Sequence, residues 1–262
     1  MQISGFGQFL FWAGGSLYIG SAVSPSELHS HHAIQLSLGL QGKVQFKRTP
    51  ADDWREYDGA VIPPDLPHTF QAPGKVLAHV FCAPESVLGR RILARFGTSG
   101  IVALAPQEAL PLGAPLRAAY FANAPESELV QIATRALHNL VGEQQATGAV
   151  DPRVLRAMEE IDRRLDEPIT LADISSHVAL SEERFRHLFV AETGVTFRPY
   201  ILWARLNRAL ALGYSGVPWT EAAHAANFAD SAHLTRTCRR MFGITPTSIR
   251  NDAGKLSDAT SA

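Results

Sequence analysis

The sequence predicts an α+β protein: a small barrel of short strands, then a helical connection, then an all-helical C-terminal part. Three observations carry this. Up to about residue 85, Gly, Pro and Asp punctuate short apolar runs at regular intervals, as in a barrel or sandwich. Beyond it, apolar residues recur every three or four positions, the helical spacing. Between about Ile161 and Arg250 the same helix–turn–helix pattern is written twice.

Bulk properties set the frame. At 262 residues the chain has room for two domains, and 46% hydrophobic with 19% charged residues is a globular composition. The net charge of -1 gives no global basic signature. From Ser181 to Asp252, however, nine Arg stand against six Asp or Glu, a modest local bias. Only Cys82 and Cys238 occur, in different predicted domains, so a disulfide framework is not expected and a reducing cytoplasm is. The apolar stretch Met1 to Val23 has no Lys or Arg ahead of it and is broken by Gly5, Gly7, Gly14 and Gly15, so a buried hairpin is expected rather than a signal peptide. No stretch has the length of a membrane span, and no membrane partner is expected.

Residues 1–85 are read as the barrel. Gln8–Trp12 and Leu17–Ile19 flank Gly14-Gly15, a pair that tolerates the positive φ of a tight hairpin turn. Strands are expected at Ile34–Leu40, Val44–Lys47, Ala60–Ile62, Thr69–Gln71 and Leu77–Cys82. Residues 86–150 are read as a helical linker. Val87–Phe96 is helical, and Glu126–Val141 sets Leu129, Ile132, Ala133, Ala136, Leu137, Leu140 and Val141 on one stripe. Such a stripe fits either packing on the barrel or a helix at the interface of a homodimer. The connection Glu143–Val150 leads to Asp151-Pro152, a good helix start. Residues 151–252 form the predicted helical domain, and 253–262 a flexible tail.

In that domain Thr170 caps a helix from Leu171, with Asp173 completing a capping box. After a turn at Val178-Ala179-Leu180, Ser181 caps the next helix, whose Phe185, Leu188 and Phe189 form the buried face. Glu183, Arg186 and His187 then lie on the opposite side. Gly194 ends that helix. A longer one, about Phe197–Leu212 and roughly 24 Å long, turns Leu202, Leu206, Ala209 and Leu210 inward. The second copy runs from Trp219-Thr220-Glu221 through a turn at Asn227-Phe228 to Asp230–Cys238. Leu171/Trp219 and Asp173/Glu221 match at an offset of forty-eight, and Phe189/Cys238, Gly194/Gly243 and Thr196/Thr245 at forty-nine. His187 and Arg236 are therefore equivalent. Two such units joined by a helix suit the gripping of two successive stretches of a DNA major groove. A repeated helical bundle that binds protein is the competing reading.

The segment Ile161–Arg250 resembles the AraC/XylS family of transcriptional regulators. The residues that carry the resemblance include Leu171-Ala172-Asp173-Ile174, Leu180-Ser181, Leu188-Phe189, Glu192-Thr193-Gly194, Arg205-Leu206, Ala209, Phe228, Leu234-Thr235-Arg236, Phe242-Gly243-Ile244-Thr245-Pro246 and Arg250. The resemblance implies that Glu183, Arg186 and His187, then Ser231, Ala232 and Arg236, face base edges. Arg184, Arg208, His233 and Thr235 complete the expected DNA-contacting set. Departures gather in the second unit. Asn227 replaces the usual Gly of the turn, Ala222 stands where Ile is common and Cys238 where Phe is common, and Pro218 follows the poor cap Val217. A thinned core is expected there, with Trp219 filling part of the space. The first unit is accordingly expected to carry most of the sequence specificity.

His29-Ser30-His31-His32, Gln35 and, after Pro63-Pro64-Asp65-Leu66-Pro67, His68 resemble the two motifs of the cupin barrel. In metal-binding cupins those positions supply two His, a Glu and a third His; here His29, His31, Gln35 and His68 fall on them. The set allows a divalent transition metal, since imidazole suits Zn, Ni, Cu or Fe. The missing carboxylate favours a metal-free pocket of polar groups, and no cofactor is expected with certainty. His79 can join either arrangement. The expectation is therefore a cytoplasmic regulator, not an enzyme, whose cupin-like barrel senses a small-molecule or metal effector. Its expected partners are double-stranded promoter DNA, RNA polymerase and a second copy of the chain. A cupin-type metal-dependent enzyme with an appended helical domain, and a DNA-binding module with no effector, are the alternatives.

Overall fold

The computed structural model describes residues 3–142 and 148–250. The N-terminal hairpin is β1 (Gly5–Trp12) and β2 (Gly15–Ala22), turning at Gly14 with φ +79°. There follow β3 (Ile34–Gly39), β4 (Val44–Lys47), β5 (Arg55–Tyr57), β6 (Gly59–Ile62), β7 (Thr69–Gln71) and β8 (Val76–Cys82). Then come α1 (Val87–Phe96), β9 (Val102–Leu104), α2 (Pro106–Phe121) and α3 (Glu126–Val141). The helical domain holds α4 (Pro152–Arg163), α5 (Leu171–His177), α6 (Glu182–Thr193), α7 (Phe197–Tyr214), α8 (Trp219–Ala225) and α9 (Ser231–Phe242). A 3₁₀ turn at Pro246–Ser248 leads to β10 (Ile249–Arg250). The expected tail, 253–262, and residues 143–147 of the expected connection lie outside the described residues.

One sheet runs β10-β1-β2-β8-β3-β6-β9 and a smaller one β5-β4-β7, the two facing each other as a barrel. Two strands correct the sequence boundaries. β9 pairs antiparallel with β6, so the barrel draws a strand from the predicted linker, beyond residue 85. β10 runs parallel to β1, with Gly5 opposite Ile249 and Phe6 opposite Arg250. The end of the helical domain thus extends the barrel sheet.

The period of two in each strand sends its side chains to two cores. Leu17 and Ile19 of β2, and Val76, Ala78, Val80 and Cys82 of β8, pack with Leu36 and Leu38 under α1, α2 and α3. The whole stripe of α3 is spent there: Leu129, Ile132, Ala133, Ala136, Leu137, Leu140 and Val141 are buried against the barrel. Of the two readings of that stripe, the packing one describes what these residues do; they are not free to form a dimer face. The alternate positions Tyr18, Leu77 and Phe81 point inward, where they meet Phe46 and, across the domain boundary, α7, α8 and α9. A third core, built of Phe185, Phe189, Phe197, Tyr200 and Ile201 with Val154 and Ile174, belongs to the first helix–turn–helix unit. No helix among the described residues is long and apolar enough to cross a membrane.

Candidate functional site

Local chemistry fixes the first unit. The Asp173 N–H donates to Thr170 Oγ1 and the Thr170 N–H to Asp173 Oδ2, both at 3.2 Å, which closes the capping box and holds the Asp173 carboxyl below its usual range. The Arg184 N–H donates to Ser181 Oγ at the start of α6. In the turn Ala179 sits at φ +55°, a left-handed conformation that costs a residue with a Cβ about 1–2 kcal/mol. Phe185 and Phe189 are fully buried and meet Phe197 edge-on at 5.8 and 5.9 Å. That packing leaves Glu183, Arg184, Arg186 and His187 exposed on the outer face of α6.

The second unit is built differently. No side chain caps α8 behind Pro218, and Asn227 takes the left-handed turn at φ +55°. Asp230, whose role the sequence reading missed, caps α9 by accepting the His233 N–H at 2.6 Å. Ala232 and Arg236 are exposed, while Ser231, His233 and Thr235 are half-buried. The Thr235 hydroxyl donates to Ser231 O at 2.8 Å, and the His233 ring stands edge-on to Phe228. Among the expected contacts of this unit, Arg236 has the longest free reach.

The core of this unit is thin in itself, as the small Ala222 and Cys238 imply, and the barrel completes it. Phe242, at the end of α9, packs against Phe9 at 5.7 Å, Phe81 at 5.5 Å and Trp203 at 5.5 Å. Tyr214 stacks on Phe9 at 5.4 Å, and its hydroxyl donates to Pro246 O. The Glu27 N–H donates to Gly243 O, the Arg239 guanidinium reaches the Glu27 carboxylate at 3.2 Å, and the Ser4 N–H donates to Ser248 O. Gly243 must be a glycine: its φ is +68°, and a Cβ there would lie 2.6 Å from His29 Nδ1. Trp219 is half-buried, laid over Gly213 and edge-on to Tyr214.

Beneath Phe242 lies the histidine cluster. His29, His31 and His68 are buried, and their ligating atoms all lie within 4.8 Å of one another. Residues 29–32 are not a regular strand; His29 and His68 instead form an isolated bridge, each backbone N–H donating to the other's carbonyl. Each Nδ1 faces a backbone carbonyl: His29 that of Glu27 at 2.8 Å, His31 that of Ala33 at 2.9 Å, His68 that of Leu66 at 2.8 Å. A carbonyl only accepts, so each Nδ1 carries the proton; Nε2 of His29 and of His68 then keeps its lone pair, whereas His31 Nε2 faces Gln35. Gln35 Oε1 lies 2.9 Å from His31 Nε2, and Gln35 Nε2 donates to Ser37 Oγ at 2.8 Å and lies 3.2 Å from His79 Nδ1. Among the described residues, Nε2 of His68 and of His79 is buried without a hydrogen-bond partner. Burial and the neighbouring imidazoles hold His68 well below the usual histidine range and His29 at about 3; burial likewise holds His79 at about 3. His32 turns away from the cluster to Glu85, 3.0 Å from its carboxylate.

The fourteen expected site residues thus divide into two outward faces and one inner cluster, with one exception. Arg208 is half-buried on α7 and lines a cavity between barrel and helical domain, apart from the faces of α6 and α9. Sequence spacing put it on α7 but had no means of saying that the barrel would lie over it.

Residues 174–252 match the helix-turn-helix domain family. Over 124 residues the chain is 29% identical to the uncharacterized HTH-type transcriptional regulator YidL of Escherichia coli K12, covering 46% of this chain and 42% of that protein. It is 25% identical over 205 residues to the transcriptional activator NphR of a Rhodococcus species, covering 72% of this chain and 61% of the relative. The chain spans about two fifths of YidL and about a third of two further curated relatives, LumQ of Photobacterium leiognathi and ArgR of Pseudomonas aeruginosa. Among solved structures, ToxT of Vibrio cholerae O395 superposes with a TM-score of 0.55 at 12% identity, over 88% of this chain and 94% of ToxT. The barrel-plus-helical-domain architecture is therefore shared, and the C-terminal part is a helix-turn-helix domain similar to those of transcriptional regulators, as the AraC/XylS resemblance implies.

Proposed function

We propose that this chain, with its AraC/XylS-like C-terminal domain, is an effector-responsive transcriptional regulator that reads two successive major-groove segments of promoter DNA in the cytoplasm. The single observation that carries this is the pair of exposed faces, Glu183–Arg184–Arg186–His187 on α6 and Ala232–Arg236 on α9, held on capped helices that one continuous helix, α7, connects. Arg and His at such positions donate to purine edges, and the neighbouring Arg groups to phosphate. Ser231, His233 and Thr235 flank the second face, and Thr235 acts through its methyl group while its hydroxyl is engaged. RNA polymerase and a second copy of the chain are the further partners of this reading.

The barrel is the sensing part, and what supports a cation as its effector is the histidine cluster. The space beside the cluster, lined by His29, Gln35 and His79 but not by His31 or His68, is only about 30 Å³, room for an ion or a water. Locked Nδ1–H groups and an orphaned His68 Nε2 form a donor set that fits a divalent transition metal, which His29, His31 and His68 would hold. Its role there would be a positive charge beneath Phe242, not chemistry on a substrate. The metal-dependent enzyme reading has less behind it, because three imidazoles and one amide include no carboxylate base. ToxT has been solved with an unsaturated fatty acid bound; an organic ligand of this chain would need a larger space than the cluster offers.

Genome-wide mapping of bound sites, followed by anisotropy titrations on one recovered site, tests the proposal. Binding that weakens steeply with salt and is lost on scrambling the site is expected. Equal affinity for any duplex would overturn it.

A further inference from the structure

A cavity much larger than the space at the histidine cluster lies outside the barrel. It measures about 610 Å³ and lies between the β1–β2 hairpin, the chain after β8, and helices α4 and α7. That volume is in the range of small-molecule sites. Its apolar wall includes Phe11, Trp12, Met158 and Trp203. Its charged groups are Glu85, Asp162 and Arg208, and Ser16, Ser86, Tyr200 and Asn207 are the neutral polar residues of the lining. Glu85 is already engaged by His32, and Asn207 Nδ2 donates to Trp203 O within its own helix. Asp162 and Arg208 remain. Among the described residues neither enters an ion pair within 4.0 Å, although Asp162 feels the field of Arg208 and of Glu85. The cavity thus presents one cation, Arg208, and at its open side one unpaired carboxylate, Asp162, with the His32-engaged Glu85 behind.

We propose that this interdomain cavity binds a zwitterionic small molecule of the amino-acid class with an aromatic or large apolar side chain. Its ammonium group faces Asp162, backed by the charge of Glu85, and its carboxylate faces Arg208. The side chain lies against Trp12 and Trp203. A plain amine would leave Arg208 unanswered in a partly desolvated space, and a plain acid would leave Asp162 so. Arg208 is on this view a ligand-binding residue rather than a DNA contact. The inference does not rest on the DNA-reading proposal, since it concerns binding alone.

The test is titration calorimetry on the full chain with three probes that share one ring: L-phenylalanine, 2-phenylethylamine and 3-phenylpropanoate. L-Phenylalanine is expected to bind about tenfold or more tightly than either of the others, a difference of about 1.4 kcal/mol. Asp162→Asn should abolish its advantage over the acid, and Arg208→Gln its advantage over the amine. Among the described residues neither side chain has an ion-pair or hydrogen-bond partner, so melting by circular dichroism should match the parent chain, and each variant is decisive alone. Equal binding of the three probes, binding of none, or an unchanged preference in a folded variant would overturn the proposal.

Discussion

The two helix–turn–helix units are copies in sequence but not in architecture. The first closes its own core, with Phe185, Phe189, Phe197 and Tyr200 packed among α4, α6 and α7. The second has alanines at 222, 223 and 226 and draws its bulk from the barrel, whose Phe9 and Phe81 receive Phe242. One unit thus stands by itself and the other is seated on the barrel. On the proposed function, an effector in the barrel has a short mechanical path to α9 and a longer one to α6.

The sharpest way to separate the units is acid. His29, His68 and His79 have depressed values in the folded state, so unfolding takes up protons once the pH falls below about 6.5, the ordinary histidine value. Their contribution is fully present above that pH and is progressively lost towards about 3. Hydrogen exchange at pH 5 should show the barrel and α9 opening together while α6 stays protected; simultaneous opening of α6 would dissolve the distinction. Next in size, Phe242→Ala and Phe189→Ala should each cost about 3–5 kcal/mol in denaturant melts. The first is expected to loosen barrel and second unit alike, the second only the first unit.

Arg236→Ala and Arg186→Ala are expected to cost about 1–3 kcal/mol each on the cognate site, read by anisotropy with single-base variants. A loss spread equally over all sequences would make the residue a phosphate clamp. Arg186 and His187 act on a stiffer support, so the first half-site should carry the larger share of discrimination. Smallest is the turn. Ala179→Gly should stabilise the first unit by about 0.5–1 kcal/mol, because its left-handed φ suits Gly better than Ala. Asn227→Gly should do less, since Asn already tolerates that region.

What was legible in the sequence was what is local. Thr170, Ser181 and Gly194 announce their caps by residue type, and the α3 stripe by spacing. Helix α2 stayed hidden because Pro111 and Pro115 lie inside it and mask its period. Three-residue strands carry little pattern: β7 was legible between its Pro and Gly punctuation, whereas β5 and β9 were not. The convergence of His29, His31 and His68 followed from motif spacing, whereas their lid, Phe242, lies 211 residues beyond His31, which it touches. Contacts of that range leave no periodic trace, and the resemblance to a family described the two domains without their joint.

The parallel pairing of β10 with β1 has a practical meaning for anyone who cuts the chain in two. Strand β1 reads Gly-Phe-Gly-Gln-Phe-Leu-Phe-Trp and would become an edge strand. With α7, α9 and β10 removed, Phe9 and Phe11 lose Tyr214 and Phe242, and the N–H and C=O groups at Gly5 and Phe6 lose their partner strand. An apolar, unguarded edge is a template for self-association. The barrel expressed by itself is thus expected to aggregate, visible as light scattering during purification, while the full chain remains monodisperse.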